Sequence, residues 1–222
     1  LTQGTTNIIL NGSGTWSCVN SNGVLRNNLI INTSGTITIS GVVAYNTGTL
    51  TYIFGTTVVT GSTLSISSIT TLDTSGMTWN DVTISSGTIT INSLLSISNT
   101  LSLASSGTVI FIGTHGFTTS NLSCVSPSGR TVSFNAGITY TVTNSLVSTG
   151  VSGIPIVFVS GTSSSYTILT LNPSATQNVT FTNARDIDSS GGQTIRTTPG
   201  MTLTRTINWD YKAGSNFFFF FQ

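Results

Sequence analysis

Apolar and hydroxyl-bearing residues alternate along most of the chain, most regularly over residues 35–113. Successive runs in this stretch read GTITISG, GTLTYIFG, STLSISS, GTITIN and GTVIFIG. Ile, Leu or Val at every second position is the period-two signature of a strand with one buried face and one solvated face. The pattern therefore predicts a chain built from short β-strands. No window shows apolar residues at helical spacing, so we expect helix to be nearly absent.

Gly, Asn and Ser interrupt these runs at intervals of about ten to fifteen residues, and such self-similarity is typical of stacked repeats. We therefore predict an all-β fold, a parallel β-solenoid, in which Asn or Thr side chains can form hydrogen-bonded ladders along the axis. The alternative is a β-sandwich or jelly roll, with the Asn-Gly pairs as hairpin turns. The solenoid is favoured because the turns recur without a paired pattern of long and short strands.

The 222 residues are predicted to form one β-repeat domain over 1–211, followed by a Phe-rich tail over 212–222. Residues 35–113 are its most regular part, and 130–211 form a looser closing part. Strands are predicted there at 131–134, 138–143, 154–160 and 166–171, with Pro155 beginning one of them. The chain starts at Leu1 without Met, so we expect either a removed leader or a longer polypeptide.

Composition restricts the possible partners. Only 5% of the residues are charged, there is no Glu, and the net charge is +1, which argues against nucleic-acid binding. No apolar run reaches the roughly eighteen residues that a membrane span needs. Cys18 and Cys124 lie far apart and outside any metal-binding motif. They are predicted to be buried free thiols, with a long-range disulfide as the alternative.

The chain contains few side chains that could act as catalytic groups. Asp73 and Asp81 are two carboxylates near each other in sequence, but residues 73–76 resemble an Asx turn and Trp79 a core residue. His115 lies between Gly113 and Gly116 in GTHGFT, without a nucleophile motif, so a tight structural corner is predicted there. We therefore expect neither catalytic residues nor a cofactor.

One loop partly imitates a calcium site. Asp186, Asp188 and Ser190 occupy positions one, three and five of such a loop and Gly191 follows, but position twelve is Thr197 where a bidentate Glu is needed. These three residues are the calcium candidate. The preferred interpretation is a loop held by Asx and Ser turns, with an arginine, Arg185 or Arg196, nearby.

Several segments resemble a known class of protein. They are LDTSGMTWNDVT (72–83), GTHGFTT (113–119), GITYTVTNSL (137–146) and NARDIDSSGGQTI with TINW (183–209). They are similar to β-repeat segments in structural proteins of bacteriophage virions, such as fibre, tail or capsid-surface components, and to repeats of bacterial surface adhesins. The resemblance implies a building or attachment role without catalytic residues. It also implies that Trp209 caps the apolar interior.

The chain ends with a strongly apolar run formed by Phe217, Phe218, Phe219, Phe220 and Phe221. Five residues are too few to cross a bilayer and too apolar to remain in water. We interpret the run as a subunit interface or docking segment, with burial inside the same chain as the alternative. The open ends of a β-stack also favour assembly. A homotrimer is the predicted state.

Three functions follow as hypotheses. The first is a non-enzymatic virion structural protein on the virion surface, a capsid decoration or fibre subunit that contacts other virion proteins or a host-cell glycan. The second is a module of an extracellular bacterial adhesin or surface filament. The third is a glycan-cleaving tailspike using Asp186 with Asp188, or Asp73 with Asp81. It is disfavoured because carboxylates two positions apart on one strand lie too close for an inverting pair.

Overall fold

The computed structural model describes residues 7–18, 27–104 and 107–213. Within these ranges the chain contains strands, turns and bends but no helix, as the alternation predicts. The strands are β1 (Ile8–Leu10), β2 (Gly14–Cys18), β3 (Leu29–Tyr45), β4 (Gly48–Val58), β5 (Thr63–Ile66), β6 (Thr70–Asp73), β7 (Thr78–Ile84), β8 (Gly87–Ile91), β9 (Leu95–Leu103), β10 (Gly107–Gly113), β11 (Phe117–Val125), β12 (Arg130–Phe134), β13 (Thr139–Thr149), β14 (Ile156–Ser160), β15 (Thr167–Leu171), β16 (Thr176–Thr180), β17 (Thr182–Arg185), β18 (Ile187–Asp188), β19 (Ile195–Thr197), β20 (Leu203–Thr204) and β21 (Trp209–Tyr211).

The strands pair in parallel and stack into a β-solenoid of about eight turns. Side-chain hydrogen bonds connect neighbouring turns, for example between Ser75 and Ser93, 18 positions apart, and between Thr119 and Thr143, 24 positions apart. This confirms the predicted solenoid, since a sandwich or jelly roll is built from antiparallel sheets. The sequence interval of ten to fifteen residues corresponds to the distance from one strand to the next, and a complete turn takes more than one strand.

Each turn presents three faces. The first face contains β4, β6, β8, β10, β12, β14 and β17, which pair in that order. Long strands such as β13 form the other two faces, because its first half pairs with β15 and its second half with β16. Strands β7, β9 and β11 likewise shift register near their middle, at the corner between the second and third faces.

The interior consists of apolar side chains stacked in register. On the third face one fully buried row contains Val43, Leu64, Val82, Leu101, Leu122 and Leu146. Toward the C-terminal half the filling becomes aromatic, with Phe111, Phe117, Phe134, Tyr140 and Phe158 in a chain of ring contacts. Trp209 extends this chain, with its ring centroid 6.4 Å from that of Phe158. Trp209 lies in the last described strand, β21, and its side chain is buried at that end of the interior.

The looser closing part keeps the same architecture with different strand boundaries. Strand β13 continues to Thr149, beyond the predicted end at residue 143, because it turns the corner onto the third face. Pro155 precedes β14 and does not begin it, so its missing N–H removes no bond from that strand. Asp186 has a φ of 58° and separates β17 from β18, which breaks the alternation there.

Two glycines beside His115 bring the backbones of neighbouring turns close together. A Cβ added at Gly113 would lie 2.3 Å from the carbonyl oxygen of Ile91, and one at Gly116 would lie 2.0 Å from that of Thr139. Each glycine faces a different neighbouring turn. The tight corner predicted from GTHGFT is therefore confirmed, and its cause is the close approach of backbones.

We expect Gly116→Ala to lower the free energy of unfolding by about 1 to 3 kcal/mol, because the new methyl group collides with backbone that cannot rotate away. Urea denaturation at neutral pH measures this change. Gly14→Ala is the matched control, since a Cβ at Gly14 meets nothing within 4 Å and neither glycine has a positive φ. Equal effects of the two substitutions would contradict the role given to the close approach.

Candidate functional site

Asp186, the first residue of the calcium candidate, forms an ion pair with Arg205. Its side chain is 1% exposed, and its two oxygens accept hydrogen bonds from Arg205 Nε at 2.5 Å and Nη2 at 2.8 Å. The backbone N–H of Ser164 donates to the same carboxylate at 3.4 Å, and Arg185 Nε lies 3.7 Å away. The hydrogen bond from Arg205 lowers the pKa of Asp186, so the carboxylate is ionised at neutral pH.

The rest of the loop is held by a local turn. Asp188 Oδ1 accepts the backbone N–H of Ser190 at 2.8 Å, which is an Asx turn. The Asx turn predicted for this loop is therefore confirmed and Arg185 lies near Asp186, but the arginine that binds both oxygens of Asp186 is Arg205. The described residues contain no group of three or more His, Cys, Asp or Glu side chains that could hold a metal. Calcium at Asp186, Asp188 and Ser190 stays a prediction, and it requires Arg205 to leave Asp186.

The ion pair stabilises an unusual backbone corner. Ser164, Asp186 and Arg205 all have positive φ values, of 65°, 58° and 47°, and lie at the same corner of three successive turns. The backbone connects these turns, because Thr167 N donates to Asp186 O at 3.0 Å and Asp186 N donates to Thr204 O at 3.1 Å. Asp tolerates the left-handed region better than Arg does. The bidentate contact therefore fixes Arg205 in a conformation that the residue itself disfavours.

Asp73 and Asp81, the two carboxylates of the segment 71–85, lie on different parts of the turn. Asp73 ends β6 on the first face, where it is in register with Thr51. Asp81 lies at the corner between the second and third faces. The turn after Asp73 is closed by its backbone, with Met77 N donating to Thr74 O, while Ser75 N donates to Ser93 Oγ. The predicted Asx turn at Asp73 is therefore wrong, because a hydroxyl of the next turn takes the N–H that it needs.

Asp81 begins a ladder of amide side chains along this corner. Its carboxylate accepts hydrogen bonds from Asn80 and Asn99, and Asn99 accepts one in turn from Asn121 at 3.4 Å. Asn144 Nδ2 then donates to Asn121 Oδ1 at 2.8 Å. An amide suits this position because it donates to one neighbour and accepts from the other, whereas a carboxylate only accepts and ends the series. The predicted Asn ladder is thus confirmed.

The remaining candidate residues have structural surroundings. Trp79 is fully buried, as predicted for a core residue. His115 is exposed, with Nδ1 2.9 Å from Thr114 Oγ1. Cys124 is a buried free thiol, and burial raises its pKa to about 12. The side chain of Cys18 lies outside the described part of the structure.

Sequence reasoning missed the part played by Arg130. Its side chain is buried and reaches back two turns, where Nη1 donates to Ile84 O at 3.4 Å and Nη2 donates to Ser85 O. Burial lowers the pKa of this guanidinium. The buried guanidinium of Arg130 thus donates hydrogen bonds to two backbone carbonyl oxygens and connects turns that are not adjacent.

Sequence reasoning also missed a trough on the outer side of the first face, lined by residues that include Thr131, Val157, Val159, Asn183, Arg185 and Thr204. A signal for it exists in IVFVS, the sequence of β14, where Val takes both outward positions, whereas the neighbouring strand β12 has Thr131 and Ser133 there. The predicted interface at Phe217–Phe221 lies outside the described residues and stays a prediction. No helix in the described ranges is both long and apolar enough for a membrane crossing.

A comparison of the chain with models of known protein families, with curated proteins and with solved structures found no match. The likeness to phage and adhesin repeats therefore depends on the quoted sequence segments alone.

We expect Asn99→Ala to lower the free energy of unfolding by about 1 kcal/mol, because the substitution removes one donor and one acceptor from the ladder. Thermal and urea unfolding both report this loss. Asn178→Ala is the control, since Asn178 is also an exposed strand asparagine but lies outside the ladder. The ladder contributes nothing to stability if the two variants unfold alike.

We expect the stability contributed by Asp186 to depend on pH. Its pKa is lower in the folded chain than in the unfolded chain, so the contribution is complete above the ordinary carboxyl pKa. It is lost as the pH falls through the folded value. Asp186→Asn should therefore reduce the melting temperature most near neutral pH, and this difference should vanish in acid.

Arg205→Gln should produce the same pH dependence as Asp186→Asn, because it removes the other half of the pair. Arg196→Gln, at an exposed arginine outside this corner, serves as the control and should leave the pH profile unchanged. A constant difference between wild type and Asp186→Asn from neutral pH to pH 2 would contradict the assignment.

Proposed function

We propose that this chain is a non-enzymatic structural protein of a phage virion, a capsid decoration or fibre-type subunit that serves assembly and surface attachment. The observation that carries the proposal is a solenoid surface on which hydroxyl groups recur in successive turns. Outward positions of the third face repeat a hydroxyl in register, as in Ser65, Thr83, Ser102 and Ser123. Such a surface is hydrophilic with almost no charge, which suits a protein that works by being rigid and stable outside a cell.

The ionisable groups support a non-enzymatic role. Asp186 is paired with Arg205, Asp81 accepts the amide ladder, and Asp188 closes a turn. A glycosidase of the common kind needs two carboxylates facing each other across a groove, one of them with a raised pKa. The pKa of Asp186 is shifted in the opposite direction, toward the ionised form. A glycan-cleaving tailspike is therefore the weakest of the three hypotheses.

The alternative function is a module of a bacterial adhesin or surface filament, and the repeated turns favour it equally. In a solenoid each turn contacts mainly its neighbours, so turns can be added to lengthen a filament. Self-association as a homotrimer, with Phe217–Phe221 at the interface, belongs to the proposal for the virion subunit. Light scattering of the full chain measures that association.

We expect an antibody raised against the full chain to label purified virus particles, and peptides of the chain to appear in mass spectra of those particles. Envelope fractions of uninfected cells are the control. Labelling of filaments on those cells, with none on particles, would assign the chain to the adhesin class and overturn the virion proposal.

A further inference from the structure

The outer trough, defined above by Thr131, Val157, Val159, Asn183, Arg185 and Thr204, has a volume of about 420 Å³. It crosses four successive strands of the first face, β12, β14, β17 and β20, which are joined by parallel pairing. In this register Thr131 lies beside Val157, and Val157 beside Asn183. The lining is therefore fixed by backbone hydrogen bonds and not by a mobile loop.

The floor of the trough is apolar although it faces outward. Ile156 and Phe158 point into the core and are fully buried, so Val157 and Val159 occupy the outer side of β14. Val159 is nevertheless only 7% exposed, which places it at the bottom of a concave surface. Around this floor lie the hydroxyls of Thr131 and Thr204 and the amide of Asn183. The trough thus combines a small apolar platform with a ring of polar groups.

One wall carries an excess positive charge. Asp186 satisfies both oxygens with Arg205, whose contacts of 2.5 and 2.8 Å are much shorter than the 3.7 Å from Arg185 Nε. Two arginines around one aspartate leave a net positive charge, and Arg185 is the member that lines the trough. Its side chain is 54% exposed. Among the described residues that line the trough, none is acidic.

These features match the chemistry of a sugar acid. A guanidinium binds a carboxylate through paired, charge-assisted hydrogen bonds. Threonine hydroxyls can both donate to and accept from sugar hydroxyls, and Asn183, whose Oδ1 accepts the backbone N–H of Thr202 at 2.8 Å, can donate through Nδ2. The C–H face of a pyranose ring is apolar enough to cover Val157 and Val159. The volume lies in the range of small-molecule sites, about 300 to 1,000 Å³.

The topology disfavours an extended peptide. A peptide that binds to a sheet usually adds a strand at an open edge, where backbone groups give most of the affinity. Strand β14 is paired on both sides, with β12 and with β17, and therefore offers no such edge beneath the trough. Only side chains are available there, which suits a ligand that carries its own hydroxyl groups.

We propose that the outer trough binds an acidic saccharide unit of a cell-surface glycan, with its carboxylate on Arg185 and its ring over Val157 and Val159. Thr131, Asn183 and Thr204 contact the ring hydroxyls. This inference rests on the proposed function of surface attachment and names the class of ligand for it.

The test is a titration of the full chain with methyl β-D-glucuronide and, separately, with methyl β-D-glucoside, followed by nuclear magnetic resonance. We expect saturable millimolar binding of the glucuronide and at least tenfold weaker binding of the neutral glucoside. Arg185→Gln should weaken glucuronide binding by roughly tenfold or more, the usual effect of losing a hydrogen bond to a charged group. Arg196→Gln, at an exposed arginine away from the trough, should leave it unchanged.

A second variant tests the floor. Val157→Glu places a negative charge beneath the ligand and should abolish glucuronide binding, while unfolding curves verify that the solenoid is intact. If that variant does not fold, Arg185→Gln decides, because its side chain is exposed. Equal binding of both sugars, no saturation, or binding indifferent to Arg185→Gln would overturn the proposal. The particle experiment is independent, so a failure of sugar binding leaves the virion assignment to be judged on its own result.

Discussion

Parallel pairing between successive turns is the constraint on which the rest of the structure depends. Each strand on a face is hydrogen-bonded to the strand before it and the strand after it, so each residue lies next to its equivalent in the neighbouring turns. A slip of one residue would turn every inward side chain outward. The apolar interior and the backbone hydrogen bonds therefore fix the same register. This agreement explains why the buried row from Val43 to Leu146 contains only Val and Leu.

Polar chemistry is concentrated at the corners, where the strand ladders are interrupted and backbone groups need other partners. The corner after the second face is held by asparagine amides, which can extend a series without limit because each donates and accepts. The corner at Asp186 is held by an ion pair, and Arg130 supplies a buried cation to the carbonyl oxygens of Ile84 and Ser85. The amide ladder, the ion pair and the contacts of Arg130 differ in chemistry, but each provides hydrogen-bond partners for polar groups at a corner.

The polar groups at the corners and the outer surface of the faces have different roles. The carboxylates of Asp81 and Asp186 and the buried guanidinium of Arg130 are part of the framework that holds the corners. What differs from turn to turn is the outer surface. Along the third face four successive turns repeat a hydroxyl, from Ser65 to Ser123, whereas on the first face β14 carries Val157 and Val159 outward beside an exposed arginine. An attachment role can therefore be proposed from surface variation on a rigid support, and the chemistry of that variation indicates an acidic sugar.

The sequence by itself determined the all-β class, the inward and outward positions of most strands, the burial of Trp79 and the tight corner around His115. These properties are local, because they follow from a period of two residues or from a glycine at a fixed place. Only the tertiary structure decided that a turn has three faces and that Asn99, Asn121 and Asn144 meet in a ladder. It alone paired Asp186 with Arg205, 19 residues later. The reason is that turn length depends on corner conformations, such as the positive φ of Phe181 and Asn208, that neither composition nor alternation marks. Which residues become neighbours along the axis follows from those lengths, and every site in this protein is built from such neighbours.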